Sequence, residues 1–446
     1  MQPRSLIPLL VALLAFAARA QVPRYVTFPL NVAVASPTDL AHTLFPSGKR
    51  FRIVGAQAAL FYGEGHLLYG FDVAGFQSRW REDARGAVVC GIKSLVNGDL
   101  TGAQAAGVIN ETNGSAFGAQ AAGFVNWTDG AFGGIQAATI FNRTGGALYG
   151  FQTTGALGVV GGDAYGFQLA PLYTRIGDDL VGLQIGAGLN IISSDLLGFQ
   201  TPGLFTYIGG DLTGGQLAVG GAAIGADALG LQLAGLFAHC GGSFSGIQAA
   251  ALFNNVNGDL VGAQAGVFNR AVFVPFGVQV GVLNSAARHN GLPIGVVSVV
   301  KNAPRYFETS VTDSRFVDFA YRSGNRFFYN YVALGARADT YLRWSVSYGL
   351  GLRFRYRELE VDLGARSRHV IEDRLFSTDL NFLHAVALDI GYPIARHTRI
   401  LLSPTFNLWQ SRLHDGGELS VIDGTLETEG DVWLRSWFGF SVGLRY

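Results

Sequence analysis

Eight histidines are the first candidates for metal or acid–base chemistry, and their spacing argues against both. His42, His66, His239, His289, His369, His384, His397 and His414 form no pair like His-Glu-x-x-His that one element would aim at a single ion. His384 falls on the apolar face of a strand, where a membrane interface suits it better than a metal. The chain has no Gly-x-Ser-x-Gly nucleophile elbow and no phosphate-cradling glycine loop. One acidic series does have a period. Asp163, Asp179, Asp195, Asp211 and Asp227 recur every sixteen residues. Carboxylates stacked at about 4.8 Å repel unless they cap backbone N–H groups or share cations. Capping of turns is the preferred role, because aspartate suits turns, and a calcium stripe is the alternative. Three Asn-x-Thr triplets, beginning at Asn110, Asn126 and Asn142, match a glycosylation sequon but follow from the repeat itself. Cys90 and Cys240 lie nine repeats apart, about 40 Å in a stack, so both are expected as unpaired thiols. No residue emerges as catalytic, and no cofactor is implied.

The elements that carry these residues are set by a sixteen-residue ladder. Glycines stand at Gly70, Gly86, Gly102, Gly118, Gly134, Gly150, Gly166, Gly182, Gly198, Gly214, Gly230, Gly246 and Gly262. Two residues after the third begins a glutamine series: Gln104, Gln120, Gln136, Gln152, Gln168, Gln184, Gln200, Gln216, Gln232, Gln248 and Gln264. Asp72 and Val88 take the glutamine position in the two preceding copies. The consensus is Gly-h-Gln-h-Ala-Gly-h-h-Asn, with h apolar, and turn dipeptides such as Asn113-Gly114 follow it. So short a period means stacked or meandering repeats, and the glycine density excludes helix. Two β architectures compete, and parity separates them. Two-residue hairpins would throw Gln104 and Gln120 onto opposite faces of a meander. In a solenoid of one repeat per coil, equivalent residues stack and their amides hydrogen-bond along the ladder. The expected fold is therefore all-β, a solenoid over residues 55–300. One antiparallel barrel of about 24 strands is the alternative.

Beyond a connector at 301–314 the rhythm changes to strict period two. In Leu342–Tyr356, Trp344, Val346, Tyr348, Leu350, Leu352 and Phe354 alternate with Arg343, Ser345, Ser347, Gly349, Gly351, Arg353 and Arg355. The next strand sets Leu359, Val361 and Leu363 against Glu358, Glu360 and Asp362. About eight such segments over 315–446, one of them at 418–423, predict an antiparallel barrel with lipid outside and a polar interior. The final strand places Phe438, Phe440, Val442, Leu444 and Tyr446 on one face, resembling the assembly signal of bacterial outer-membrane barrels. At the other end, Arg4, the apolar run Leu6–Phe16 and Ala18-Arg19-Ala20 predict a secretory signal over residues 1–20. Residues 21–54 then supply a lead-in strand and a cap for the stack.

The repeats, as in Gly102–Asn110 and Gly118–Asn126, resemble those of a bacterial surface-repeat family first named in leptospires. The likeness extends through Gly291–Val297, Phe327–Asn330 and the closing Gly443–Tyr446. It implies export to the outer membrane or cell surface, and it brings no catalytic residues. The 32 basic and 32 acidic residues balance, giving no reason to expect nucleic acid. The expectation is a non-enzymatic surface protein with a structural or adhesive role. Its partners are outer-membrane lipid, the barrel-assembly machinery and a glycan or protein ligand. A pore built from repeats and C-terminal strands together is the second possibility. A carbohydrate-active solenoid enzyme is third, lacking the acid cluster it needs.

Overall fold

The computed structural model describes residues 26–35, 50–338, 342–372, 380–413, 422, 424–429 and 431–446. The secretory signal, the turns expected near 36–39 and 46–48, and all but Ile422 of the strand expected at 418–423 lie outside the described residues. The chain divides into two compact units, Met1–Ser194 and Asp195–Tyr446.

In the first unit each repeat makes one coil with a long and a short arm. Leu100–Ala106 is a long arm, and after a bend at Gly107-Val108 the short arm Ile109–Thr112 follows. A turn through Asn113-Gly114-Ser115 then starts the next long arm, Ala116–Ala122. Long arms pair in parallel and in register, Gln104 beside Gln120 and Gln120 beside Gln136. Short arms do likewise, Asn110 beside Asn126 beside Asn142. This is a β-solenoid, with about sixteen turns counted over both units. The alternative of one antiparallel barrel of about 24 strands is overturned. Every repeat bonds to its neighbours in parallel, which a meander of hairpins cannot do.

The lead-in strand Val26–Ala35 is itself part of the stack. It pairs in parallel with Phe51–Gly65, and Asn31 occupies the ladder position beside Gln57. The repeat glycine is required by geometry. At Gly150 φ is +129°, and a Cβ would lie 2.3 Å from the carbonyl oxygen of Gly134 in the coil before. Any side chain would have to enter both a strained backbone and its neighbour's main chain.

In the second unit the same coils run from Leu196 to Val300. As the sequence repeat fades, the step contracts. Asn254 pairs with Asn269 and Gln264 with Gln279, fifteen residues on, and Val278 pairs with Leu292, fourteen on. The first residue is lost at the bend between the arms, since Ala249 pairs with Ala265, sixteen on, and Phe253 with Phe268, fifteen on, and the ladder keeps its register.

From Tyr306 the pairing turns antiparallel. The strands are β1 (Tyr306–Thr312), β2 (Val317–Gly324), β3 (Phe328–Ala338), β4 (Leu342–Tyr356) and β5 (Leu359–Glu372). After them come β6 (Asn381–Ala395), β7 (Thr398–Ser411), β8 (Thr425–Glu429) and β9 (Val432–Arg445). Each of β1 to β6 pairs with the next. β9 pairs with both β7 and β1, so the order returns to its first strand, while β8 pairs with β9. The connector expected at 301–314 thus contributes β1, which lies between β2 and β9.

Candidate functional site

The coil interior is built from polar ladders closed at its turn edge by apolar rows. Gln104, Asn110 and Thr112 are buried, as are Leu100 and Val96. Each glutamine amide donates to the carbonyl of the glutamine before it. In the first unit Gln120, Gln136, Gln152, Gln168 and Gln184 do so at 2.8, 2.8, 2.8, 2.9 and 2.9 Å. In the second, Gln216, Gln232, Gln248 and Gln264 do so at 3.0, 2.9, 2.7 and 2.7 Å. Threonines of the short arm brace the same carbonyls, Thr112 on Gln104 at 3.0 Å and Thr128 on Gln120 at 2.9 Å. Asparagines make a parallel series, Asn110 to Asn126 at 2.8 Å and Asn126 to Asn142 at 2.9 Å. With Asn110, Asn126 and Asn142 all inside the coil, the sequons present no accessible amide.

The sixteen-residue aspartates cap turns. Asp163 Oδ1 accepts the N–H of Asp179 at 3.2 Å, Asp195 that of Asp211 at 2.8 Å, and Asp211 that of Asp227 at 2.9 Å. Asp227 takes the N–H of Ser243 at 2.6 Å. Each of these four carboxylates therefore meets a backbone donor of the following coil. Among the described residues no cluster of three or more His, Cys, Asp or Glu is placed to hold a metal.

Where the glutamine series departs, the ladder holds its register. Gln57, Asp72, Val88 and Gln104 stand side by side. Asp72 is fully buried, accepting Trp80 Nε1 at 3.0 Å and the Ser78 hydroxyl. Burial pushes its carboxyl up to about 6, against the pull of the Ser78 and Trp80 donors. Both cysteines are buried free thiols, and burial raises each to about 11. Cys240 ends a short arm rather than sitting in a turn as its flanking glycines suggest. His289 is buried, which lowers it to about 4. His369 and His384 both stack on Phe382, with ring centroids 4.6 and 6.1 Å away.

The antiparallel strands enclose charge. Arg322 pairs with Glu308, Asp362 and Asp389 at 2.8, 2.9 and 2.6 Å. Arg445 pairs with Glu308, Glu360 and Asp362 at 2.6, 3.0 and 2.8 Å. All six side chains are buried. Arg366 adds a further pair to Asp389, and the Arg322 guanidinium lies 4.5 Å from the centre of the Tyr329 ring. Further along, Phe316, Val370, Leu383, Trp409 and Trp437 pack together in a buried cluster. The residues between these, one position along each strand, face out and are apolar. Phe307, Phe319, Leu334, Phe354 and Phe406 are exposed, and Phe438 is 78% exposed. Of the C-terminal series, Phe440, Val442 and Tyr446 are exposed too, and Leu444 is half-buried. The alternation in the sequence foretold which face is charged. The convergence of Glu308, Arg322, Asp389 and Arg445 on one network comes from the pairing, and only the opposite signs on successive strands hint at it.

The last coil is fastened to the β2–β3 hairpin. Asn330 donates to Pro293 O at 2.7 Å and to Ser298 Oγ at 2.9 Å, and its Oδ1 accepts Gly295 N at 2.8 Å. Ser298 N donates to Ser323 Oγ at 2.9 Å, and Asn325 to Gly291 O at 2.6 Å. Sequence reasoning missed this joint, although Asn325 and Asn330 sit beside a turn.

No family model, curated protein or solved structure matches this chain.

Proposed function

We propose that β1 to β7 and β9 form an outer-membrane-type β-barrel that anchors the coils, and that the protein is non-enzymatic, with a structural or binding role in the bacterial envelope. One observation carries this: the antiparallel strands bury arginines and carboxylates while exposing phenylalanine, leucine and valine. A water-soluble sheet would bury the apolar face, whereas lipid rewards the inverse. Pairing of β9 with both β7 and β1 joins the last long strand back to the first, as closure in a bilayer demands. The secretory signal expected at residues 1–20, the resemblance of the repeats to leptospiral surface repeats, and the aromatic C-terminal strand all support the same destination. Outer-membrane lipid and the barrel-assembly machinery are then the partners. Eight strands leave room for side chains rather than a channel, and here ion pairs occupy it, so the barrel is an anchor rather than a pore.

Connection lengths supply the orientation. β2–β3, β4–β5 and β6–β7 are joined by residues 325–327, 357–358 and 396–397, whereas the other connections are 313–316, 339–341, 373–380 and 412–424, the last two the longest. Outer-membrane barrels keep short turns in the periplasm and long loops outside. The last coil joins the short-turn end, so the coils belong on the periplasmic side and not on the cell surface. Protease added to intact cells should cut within 373–380 or 412–431 and spare the coils until the outer membrane is permeabilised. Cleavage of the coils on intact cells would reverse the orientation. Recovery of the chain in the soluble periplasmic fraction would remove the membrane reading altogether.

A further inference from the structure

The short-turn end of the antiparallel strands carries positive charge that the buried ion pairs do not use. Lys301, Arg305, Arg326, Arg357 and Arg396 are exposed there, and none has an acidic partner among the described residues. Glu358 is the one exposed acid at that end among the described residues, and no acidic residue lies between Asp259 and Glu308. Glu308, Glu360 and Asp362 are buried and already shared, Glu360 among Arg355, Arg399 and Arg445. Residues 412–431, between β7 and β9, have the reverse balance, with six acids and one arginine. Tyrosines mark the cationic end. Of the four exposed tyrosines on these strands among the described residues, Tyr356, Tyr392 and Tyr446 stand there, and Tyr348 lies mid-strand. Arg357 lies 5.5 Å from the centre of the Tyr356 ring. A tyrosine has an apolar body and a polar tip, so it settles at headgroup depth in a bilayer. Cations just beyond it are within reach of lipid phosphate.

We propose that this rim is a binding surface for anionic phospholipid, its arginines and Lys301 pairing with headgroup phosphates of the leaflet at the short-turn end. This rests on the membrane reading above. Charge complementarity selects the occupant, because five unpaired cations stand against Glu358 alone. Their distribution selects lipid over a single acidic partner. Arg326, Arg357 and Arg396 come from three separate turns, and Lys301 and Arg305 from the segment entering β1. They are spread around the end of the strands instead of lining one groove. Many small phosphates match that arrangement, and a guanidinium holds a phosphate through two parallel bonds.

Lipid selection around the full chain tests it. A single cysteine replaces Phe354, exposed two residues before Tyr356, or Phe438, exposed toward the opposite end. Cys90→Ala and Cys240→Ala form the background, and the new cysteine carries a fluorophore. Each protein is reconstituted in phosphatidylcholine vesicles in which a minor share of the lipid is brominated, either phosphatidylglycerol or phosphatidylcholine. At Phe354 brominated phosphatidylglycerol should quench as though enriched about fivefold for each arginine it meets. At Phe438 the two lipids should quench alike. Arg326→Gln, Arg357→Gln and Arg396→Gln together should remove the preference, while Arg326→Lys, Arg357→Lys and Arg396→Lys should keep it. Equal quenching by the two lipids at Phe354 overturns the phosphate surface and leaves the membrane reading in place. Quenching by neither lipid at either position overturns both. A preference that survives the glutamine variant, or is equal at Phe438, also overturns the rim. Poly-glutamate that binds the detergent-solubilised chain but not its glutamine variant, with no lipid preference, assigns the rim to a soluble acidic partner and overturns the proposal.

Discussion

Gln136→Leu asks whether the glutamine ladder holds the coils together or merely fills them. Gln136 Nε2 donates to Gln120 Oε1 at 2.8 Å, and its own Oε1 accepts Gln152 Nε2 at 2.8 Å and Thr144 Oγ1 at 3.3 Å. Leucine has similar bulk and no polar atom. It would strand two donors inside the coil, while Gln120 Oε1 would keep Thr128 as a donor at 2.9 Å. A buried group left without its partner costs about 1–3 kcal/mol. Two of them cost about 2–6 kcal/mol, and the apolar gain of leucine returns roughly 1 kcal/mol. The net loss should be about 1–5 kcal/mol. Gln279→Leu is the internal comparison. Gln279 donates to Gln264 at 2.7 Å, but its own Oε1 has no partner, so leucine removes one bond and one existing orphan. That change should cost under about 1 kcal/mol. Hydrogen exchange of the coil amides reads both locally, without requiring the antiparallel strands to unfold. Protection around residues 120–152 should drop by roughly 5- to 5000-fold in Gln136→Leu, and by less than about fivefold around Gln279 in its variant. Equal, small losses in the two would mean that the ladder follows from the stack and does not stabilise it.

Gly150→Ala should abolish folded protein, since its Cβ would lie 2.3 Å from Gly134 O at a positive φ. Gly158→Ala, whose nearest contact would be the Gln152 side chain at 3.2 Å, should express normally. Arg445→Ala leaves Glu308, Glu360 and Asp362 short of a partner and should cost about 3–5 kcal/mol, seen as a lower midpoint for heat-modified gel migration. Because the folded Asp72 carboxyl is raised from 3.8 to about 6, its contribution is full below about pH 4 and fades as pH rises to about 6. Exchange protection of the surrounding coils should fall by about 3 kcal/mol across that window and stay level in Asp72→Asn. Calcium should leave the melting temperature unchanged, because Asp163, Asp195, Asp211 and Asp227 already serve backbone N–H groups; a rise would return them to metal binding.

The solenoid was legible because its period survives in residue types that stacking demands. Glycine recurs where a Cβ would strike the coil before, and glutamine recurs where only an amide can both donate and accept along the stack. Parity then decided between coil and meander, since Gln104 and Gln120 can share a face only in parallel register. The division into arms was not legible. Leu100 to Asn110 reads as one apolar stretch because the bend at Gly107-Val108 preserves inward parity, with Gln104 and Asn110 both inside. β1 was hidden for a different reason. Tyr306–Thr312 is short and carries a single charged residue, Glu308, whose worth appears only when β2 and β9 bring Arg322 and Arg445 to it.

A ladder satisfied in one dimension must end on something, and the second unit shows what its end rests on. The asparagine series there runs from Asn254 to Asn269 at 3.0 Å, to Asn284 at 2.9 Å, and to Ser298 Oγ at 3.2 Å. Ser298 Oγ then accepts Asn330, a residue of β3. The antiparallel strands therefore continue the polar column that the coils begin, with serine and asparagine at the positions where another repeat would have placed its own asparagine. This explains why the repeat decays toward Val300 without the stack coming apart. The step shortens from sixteen to fifteen to fourteen while the inward polar atom is kept. It also means that the antiparallel strands cap the coils, because a coil end left open would expose both an unpaired edge and an unpaired amide column.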